Sequence, residues 1–147
     1  MTVFRITATQ WSKQLTGSGY PARWNSRGNI VIYTAQSRAL ACLENLVHRS
    51  GEGNNALFKV MLIEVPDSLK VEVADTNILK KEWYALVNYP YCQAIGDQWV
   101  REAKTALIKV PSAVIKQEYN YLLNPNHPDF KKIKLTGTEP FDFDERF

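Results

Sequence analysis

Residues 17–48 read GSGYPARWNSRGNIVIYTAQSRALACLENLVH, and this stretch decides both the fold and the candidate site. It contains a glycine-rich loop, a short apolar run and a segment with helical spacing, in that order. Arg23 falls in the loop, Tyr33 ends the apolar run, and Glu44 lies in the helical segment. We expect these three elements to converge on one cleft, with the remaining chain holding them in place.

The helical segment begins near Ser37, whose side chain can cap a helix. Its apolar residues recur at helical spacing, at Leu40, Leu43, Leu46 and Val47. With a rotation of about 100° per residue, Glu44 lies roughly 90° from the centre of this apolar stripe. The sequence therefore predicts Glu44 at the border between the core and the cleft.

The flanking sequence predicts one α/β domain over residues 1–147, with a mixed sheet flanked by short helices. A second helix is expected over 91–104, although Gly96 within it costs about 1 kcal/mol relative to alanine. The predicted strands, from alternating or β-branched runs, cover 2–8, 30–33, 57–65, 70–73, 106–110, 114–119, 131–135 and 141–143. Residues 11–28 are expected to form a long loop and 50–55 a turn. A loop of this length inside a compact domain is commonly functional.

The composition is ordinary for a globular protein of 147 residues, with 45% hydrophobic and 22% charged residues. The net charge of +3 is scattered, without the dense basic stripe typical of nucleic-acid binding. No apolar run is long enough to span a membrane, and the first residues do not resemble a secretion signal. Cys42 and Cys92 form neither a disulfide framework nor a zinc motif. We therefore expect a cytoplasmic protein with reduced thiols and no metal.

Each candidate side chain also has an ordinary structural explanation. Arg23 can present its planar guanidinium to a phosphate or carboxylate, or it can anchor the loop by pairing with a nearby acid. Tyr33 can be a core tyrosine with a satisfied hydroxyl, and Glu44 can pair with His48. Ser112 follows Pro111 at the end of a predicted strand and can be a turn residue. Rossmann, Walker and GxSxG motifs are absent from the sequence.

In combination, several short motifs resemble the RES family, which is named for an arginine, a glutamate and a serine. The resemblance runs in order over residues 4–147 and rests on RWN at 23–25, GDxW at 96–99, VPS at 110–112 and NPxHP at 124–128. It implies an ADP-ribosyltransferase-like fold and a toxin of a bacterial toxin–antitoxin system. Members of this family degrade NAD⁺, and their antitoxins carry an Xre-type helix-turn-helix domain. NAD⁺ is then a substrate, and no cofactor is expected.

Carried over by position, the resemblance predicts four catalytic residues, Arg23, Tyr33, Glu44 and Ser112. It predicts an NAD⁺-binding set of Arg23, Trp24, Asn25, Tyr33 and Ser112. We expect Arg23 to clamp the pyrophosphate, Tyr33 to stack on the nicotinamide or its ribose, and Ser112 to hydrogen-bond the same end. Glu44 is expected to bind ribose hydroxyls and stabilise developing positive charge. The sequence departs from the family at Ala22, where glycine is more frequent, and this bears on the placement of Arg23.

Three functions are compatible with these residues. The first is depletion of NAD⁺ by cleavage of its nicotinamide–ribose bond, with water or phosphate as the acceptor. The second is ADP-ribosyl transfer to a protein target. The third is a non-catalytic module that binds a nucleotide or nucleic acid. For the first, we expect an antitoxin partner that covers the cleft, and neither direct nucleic-acid binding nor membrane binding.

Overall fold

A computed structural model describes residues 1–49 and 57–147, so the turn predicted at 50–55 lies outside the described residues. The described chain forms one seven-stranded sheet and two α-helices. The strands are β1 (Thr2–Ala8), β2 (Ile32–Ala35), β3 (Phe58–Glu64), β4 (Val71–Val73), β5 (Leu107–Pro111), β6 (Tyr119–Leu123) and β7 (Lys134–Phe141). Their order is β4-β5-β6-β2-β1-β3-β7. Among the strand pairs of the described residues, only β4–β5 is parallel, which confirms the predicted mixed sheet.

Both helices, α1 (Arg38–Arg49) and α2 (Tyr89–Glu102), pack on the same face of the sheet. Leu40 and Ala41 of α1 share a buried cluster with Ile6, Ala35 and Val60. Cys92 and Trp99 of α2 share another with Ile108, Val110 and Leu122. Because side chains alternate along a strand, Val3, Met61, Leu107 and Leu123 form a separate core on the opposite face. No helix of the described ranges is long and apolar enough to cross a membrane.

The sheet is weakly joined between β1 and β2. These two strands share one paired position, Phe4 with Ala35, whereas β1 pairs with β3 over all of Thr2–Ala8. On its other side β2 pairs along its full length with β6. The sheet therefore opens between β1 and β2, and this opening positions the candidate site.

The strands predicted at 30–33 and 114–119 are wrong in extent. The strand predicted at 30–33 lies at Ile32–Ala35, because its partner β6 sets the register. Of the strand predicted at 114–119, residues 114–118 form turns, since Val114 and Ile115 donate their backbone N–H groups to Ser112 Oγ rather than to a neighbouring strand.

The two strands predicted near the C-terminus are also wrong in extent. The first two residues of the segment predicted at 131–135 end a 3₁₀ helix, Pro128–Lys132, which proline can begin because the first turn needs no backbone donor, and its last two residues begin β7. A single strand β7 then replaces the two short ones. It includes Pro140, which an edge strand tolerates.

The loop that carries Arg23 packs directly on α2 at Gly96. An added Cβ at Gly96 would lie 1.6 Å from the carbonyl oxygen of Trp24. The Trp24 side chain is itself buried, in the cluster that α2 covers. Only glycine permits this approach of the helix to the loop backbone, which explains why a residue that weakens a helix occupies this position.

We predict that Gly96→Ala lowers the free energy of unfolding by about 3 kcal/mol or more, because the helix and the loop must separate to admit the methyl group. Gly137→Ala is the matched control, since it sits in a strand and nothing lies within 4 Å of the place that an added Cβ would take. Urea titration followed by tryptophan fluorescence measures both. A Gly96→Ala protein as stable as the Gly137→Ala protein would contradict this account of the packing.

Candidate active site

A cavity of about 360 Å³ lies where β1 and β2 separate. Both strands line it, together with the loop at residues 17–22, helix α1 and one residue of β6. The lining residues are Phe4, Arg5, Ile6, Thr7, Gly17, Ser18, Tyr20, Pro21, Ala22, Val31, Tyr33, Thr34, Ala35, Ala41, Glu44, Asn45, His48 and Asn120. A volume of this size falls in the range of small-molecule sites.

Glu44 is the acidic group of the cavity lining, and its side chain is held in place. Its Oε1 accepts hydrogen bonds from Ser112 Oγ and from Asn120 Nδ2, both at 2.7 Å. Its Oε2 lies 3.8 Å from His48 Nε2, one turn along α1, and its side chain is 20% exposed. Oε1 is therefore committed to the protein, and Oε2 is the oxygen available to a ligand. This matches the predicted position at the border between core and cleft.

Ser112 acts on Glu44 from behind the cavity wall. The residue is fully buried, and its Oγ donates to Glu44 while accepting from the backbone N–H groups of Val114 and Ile115 at 3.0 and 3.1 Å. Its hydroxyl proton is thus used within the protein. The predicted direct contact between Ser112 and a ligand stays a prediction, and the geometry gives the serine a role in positioning Glu44.

Tyr33 lines the cavity and also holds the loop. Its hydroxyl donates to Asn25 Oδ1 at 2.5 Å and accepts from the backbone N–H of Trp24 at 3.0 Å. Burial raises the pKa of the phenol well above its ordinary value, although the hydrogen bond from Trp24 opposes this rise. The phenol is therefore neutral at physiological pH. Asn25 donates from Nδ2 to the carbonyls of Tyr20 and Asn29, so its amide serves the loop.

Asp97 of α2 fixes the far end of the same loop. Its carboxylate accepts from the Ser26 backbone N–H at 3.0 Å, from Ser26 Oγ at 2.6 Å and from Asn29 Nδ2 at 2.8 Å. Burial alone would raise the pKa of Asp97, but these hydrogen bonds outweigh it and hold the pKa below its ordinary value. The aspartate of the GDxW motif therefore has a structural task, which is to hold the loop on α2.

Arg23 lies beside the cavity and is absent from its lining. Its Nη1 and Nη2 donate to the backbone carbonyls of Trp83 and Tyr84 at 3.1 and 2.7 Å. The guanidinium carbon also lies 4.4 Å from the centre of the Tyr89 ring. This is the loop-anchoring alternative, with carbonyls in place of the expected acid. Contact between Arg23 and a pyrophosphate stays a prediction.

The structure brings together two of the predicted residues, Tyr33 and Glu44, on one cavity, with Ser112 attached to Glu44. Trp24 and Asn25 belong to the loop itself, and their side chains are buried and outside the cavity lining. Among the other lining residues, which the sequence did not assign to the site, are Arg5, Asn45 and Asn120. The position of Asn45 could have been predicted from helical spacing. It shares one face of α1 with Ala41, Glu44 and His48.

Arg5 is the cation of the cavity wall. Its Nη1 donates to the carbonyl oxygen of Thr16 at 2.8 Å, and burial lowers the pKa of its guanidinium. An arginine remains charged at physiological pH despite such a shift. Glu44 and Arg5 therefore give the cavity one acidic and one basic group. Within residues 1–49 and 57–147, no three His, Cys, Asp or Glu side chains form a cluster that could hold a metal ion.

We predict that Arg23→Lys lowers the free energy of unfolding by about 1–3 kcal/mol, because an ammonium group cannot reproduce the two hydrogen bonds to successive carbonyls. Arg27→Lys in the same loop is the control, since Arg27 is exposed. Thermal unfolding compares the two variants. Equal melting temperatures for Arg23→Lys and the parent would show that the anchor contributes nothing.

Comparison with known proteins places the chain in one family. The family model of the RES domain matches residues 2–144. The "Prs ADP-ribosylating toxin" of Sphingobium sp. is 38% identical over 143 residues, covering 94% of this chain and 89% of that protein. A "Toxin Res" of Photorhabdus laumondii is 31% identical, covering 99% and 96%. A "Toxin Res" of Yersinia enterocolitica is 32% identical, covering 95% and 90%.

The fold is shared with a solved structure. A chain of the crystal structure of the M. tuberculosis MbcT–MbcA toxin–antitoxin complex superposes with a TM-score of 0.77. The superposition covers 95% of this chain and 83% of that one, at 19% sequence identity. The family match over nearly the whole chain and the identities above 30% agree with the resemblance seen in the motifs. This protein belongs to the RES domain family.

Proposed function

We propose that this protein is the toxin of a toxin–antitoxin pair and that it depletes NAD⁺ by cleaving the nicotinamide–ribose bond. The observation that carries the proposal is the carboxylate of Glu44, fixed through one oxygen by Ser112 and Asn120 at the wall of a ligand-sized cavity. A fixed carboxylate is what a developing oxocarbenium ion requires. The toxin names of the relatives from Photorhabdus and Yersinia support the biological role.

The proposed reaction needs charge stabilisation more than acid catalysis. The bond between the anomeric carbon and the nicotinamide nitrogen breaks, its electron pair stays with the nitrogen, and nicotinamide leaves as a neutral ring. Positive charge then develops on the ribose, where Glu44 Oε2 stabilises it. Water or inorganic phosphate adds to the anomeric carbon; with water, one proton is released to solvent. This reaction requires no metal and no resident cofactor.

Tyr33 and Arg5 fit the remaining parts of the substrate. The neutral phenol ring of Tyr33 offers an apolar face for the nicotinamide or its ribose, as expected from the sequence. Arg5 supplies positive charge in the cavity wall, where a pyrophosphate can approach it. Arg23, one residue beyond the lining residue Ala22, keeps its predicted pyrophosphate role only if ligand binding frees its guanidinium from the two carbonyls.

We predict that Glu44→Gln reduces NAD⁺ consumption about 100-fold or more while the fold is retained. The glutamine oxygen can accept the hydrogen bonds from Ser112 and Asn120, but its amide nitrogen replaces the negative oxygen available to the ligand. Glu145→Gln is the control, since Glu145 is exposed and outside the cavity.

Purified proteins are incubated with NAD⁺, with and without phosphate, and the products are identified by chromatography and mass spectrometry. Nicotinamide with ADP-ribose indicates hydrolysis, and a phosphorylated ribose product indicates phosphorolysis. A Glu44→Gln protein that consumed NAD⁺ at the parent rate would remove the role proposed for Glu44.

ADP-ribosyl transfer to a protein is the second candidate, and the printed name of the Sphingobium relative favours it. The same cavity would form the same electrophilic ribose, and a protein side chain would replace water or phosphate. Incubation of the protein with NAD⁺ and a cell lysate separates the two reactions. Peptides carrying ADP-ribose in proportion to the nicotinamide released indicate transfer, whereas free ADP-ribose without modified peptides argues against it.

We also propose an antitoxin partner with an Xre-type helix-turn-helix domain that covers the cavity. The support is the fold shared with a chain of a solved toxin–antitoxin complex. If the partner covers the cavity, adding it to the NAD⁺ assay should stop turnover at a stoichiometric ratio. Full turnover in a stable complex with the partner would place the interface elsewhere.

A further inference from the structure

Two buried amide oxygens in the cavity wall lack a hydrogen-bond donor among the described residues. They are Asn45 Oδ1 on α1 and Asn120 Oδ1 on β6. Asn120 is 8% exposed, and both residues line the cavity. Buried polar atoms in folded proteins are nearly always paired, so two unpaired acceptors in one wall need an explanation.

The orientation of each amide follows from its partner. Asn120 Nδ2 donates to Glu44 Oε1, and an ionised carboxylate can only accept. Asn45 Nδ2 donates to the carbonyl oxygen of Ile6 at 3.0 Å, which is likewise only an acceptor. Exchanging the oxygen and nitrogen of either amide would place two acceptors against each other. Both Oδ1 atoms must therefore turn away from these partners.

Asn120 and Asn45 both adjoin Glu44. Asn120 shares Glu44 Oε1 with Ser112, and Asn45 follows Glu44 directly on α1. The residues that line this end of the cavity therefore carry three acceptor oxygens, Glu44 Oε2 and two amide oxygens that are buried within the wall. A pyrophosphate is itself rich in acceptors and would be repelled here. A ligand group with neutral O–H or N–H donors would instead supply the hydrogen bonds that these acceptors lack.

We propose that Asn120 is a specificity-determining residue: its Oδ1, aided by that of Asn45, accepts a hydrogen bond from an O–H or N–H donor at the nicotinamide–ribose end of the dinucleotide. At the same time its Nδ2 keeps Glu44 in place. The inference rests on the proposed function for the identity of the dinucleotide. Two sources supply such donors, the ribose hydroxyls and the carboxamide NH₂ of the nicotinamide.

Dinucleotide analogues distinguish these sources. One analogue carries 3-acetylpyridine, which has a methyl group in place of the carboxamide NH₂, and two others lack the 2′- or the 3′-hydroxyl of the nicotinamide ribose. A site with a buried unpaired acceptor discriminates strongly against a ligand that lacks the matching donor. Binding constants are measured by calorimetry and kcat/KM by release of the pyridine base, nicotinamide or 3-acetylpyridine, for NAD⁺ and all three analogues.

In the parent protein, we expect binding at least about tenfold weaker for one analogue than for NAD⁺. In Asn120→Leu, NAD⁺ binding should weaken by a similar factor, and the discrimination against that analogue should shrink to within about threefold. Asn120→Ala gives the same comparison if the leucine variant does not fold. Asn126→Leu is the matched control, since Asn126 is exposed in the turn after the same strand and outside the cavity.

Two results would overturn the proposal. One is a parent protein that binds NAD⁺ and the three analogues equally well. The other is an equal loss for all four ligands in Asn120→Leu, which would mean that the residue only supports Glu44. Failure of the proposed function is a separate outcome. Absence of NAD⁺ turnover would contradict the proposed reaction, while the binding constants would still test the role of Asn120. Turnover with analogue-independent binding removes the role of Asn120 alone.

Discussion

The hydrogen-bonded oxygen Oε1 of Glu44 is the point on which the site depends. It joins α1 to the end of β5 through Ser112 and to β6 through Asn120, with two contacts of 2.7 Å. Because charged hydrogen bonds are stronger than neutral ones, the carboxylate and its two donors hold one another in a single arrangement. The helix therefore cannot shift over the sheet without breaking two partly buried hydrogen bonds. Glu44 therefore joins α1 to the sheet in addition to the charge-stabilising role proposed for it.

The loop before β2 is held by contacts that do not involve Glu44. Asp97 binds its far end, Arg23 binds the carbonyls of Trp83 and Tyr84, and the bare backbone of Gly96 lets α2 reach Trp24. Tyr33 links this loop to the cavity, because one face of the residue lines the cavity and its hydroxyl binds Asn25. The RWN and GDxW motifs thus describe one packed unit that shapes the cavity without entering it.

The sequence sufficed for the mixed sheet, the position of α1 and the border placement of Glu44, because these follow from local periodicity and capping. It did not suffice to identify the hydrogen-bond partners of Arg23, because these two carbonyls lie 60 and 61 residues away along the chain. Asn120 escaped notice because a single asparagine in a strand has no local signature. The position of Asn120 below α1 follows from the register of β6, which pairs Asn120 with Ala35 and Val110. The sequence singled out Ser112 as a candidate, but its burial behind Glu44 depends on the bend at Val114 and Ile115, which the sequence placed in a strand.

The single pairing between Phe4 and Ala35 divides the sheet into two ladders, one of four strands and one of three. The cavity touches both ladders, because β1 and β2 each contribute to its wall. A molecule bound there would contact both ladders and stabilise the junction between β1 and β2. Occupancy of the cavity therefore holds the two halves of the sheet together. An inhibitor that reaches both walls would stabilise strands as far away as β4 and β7.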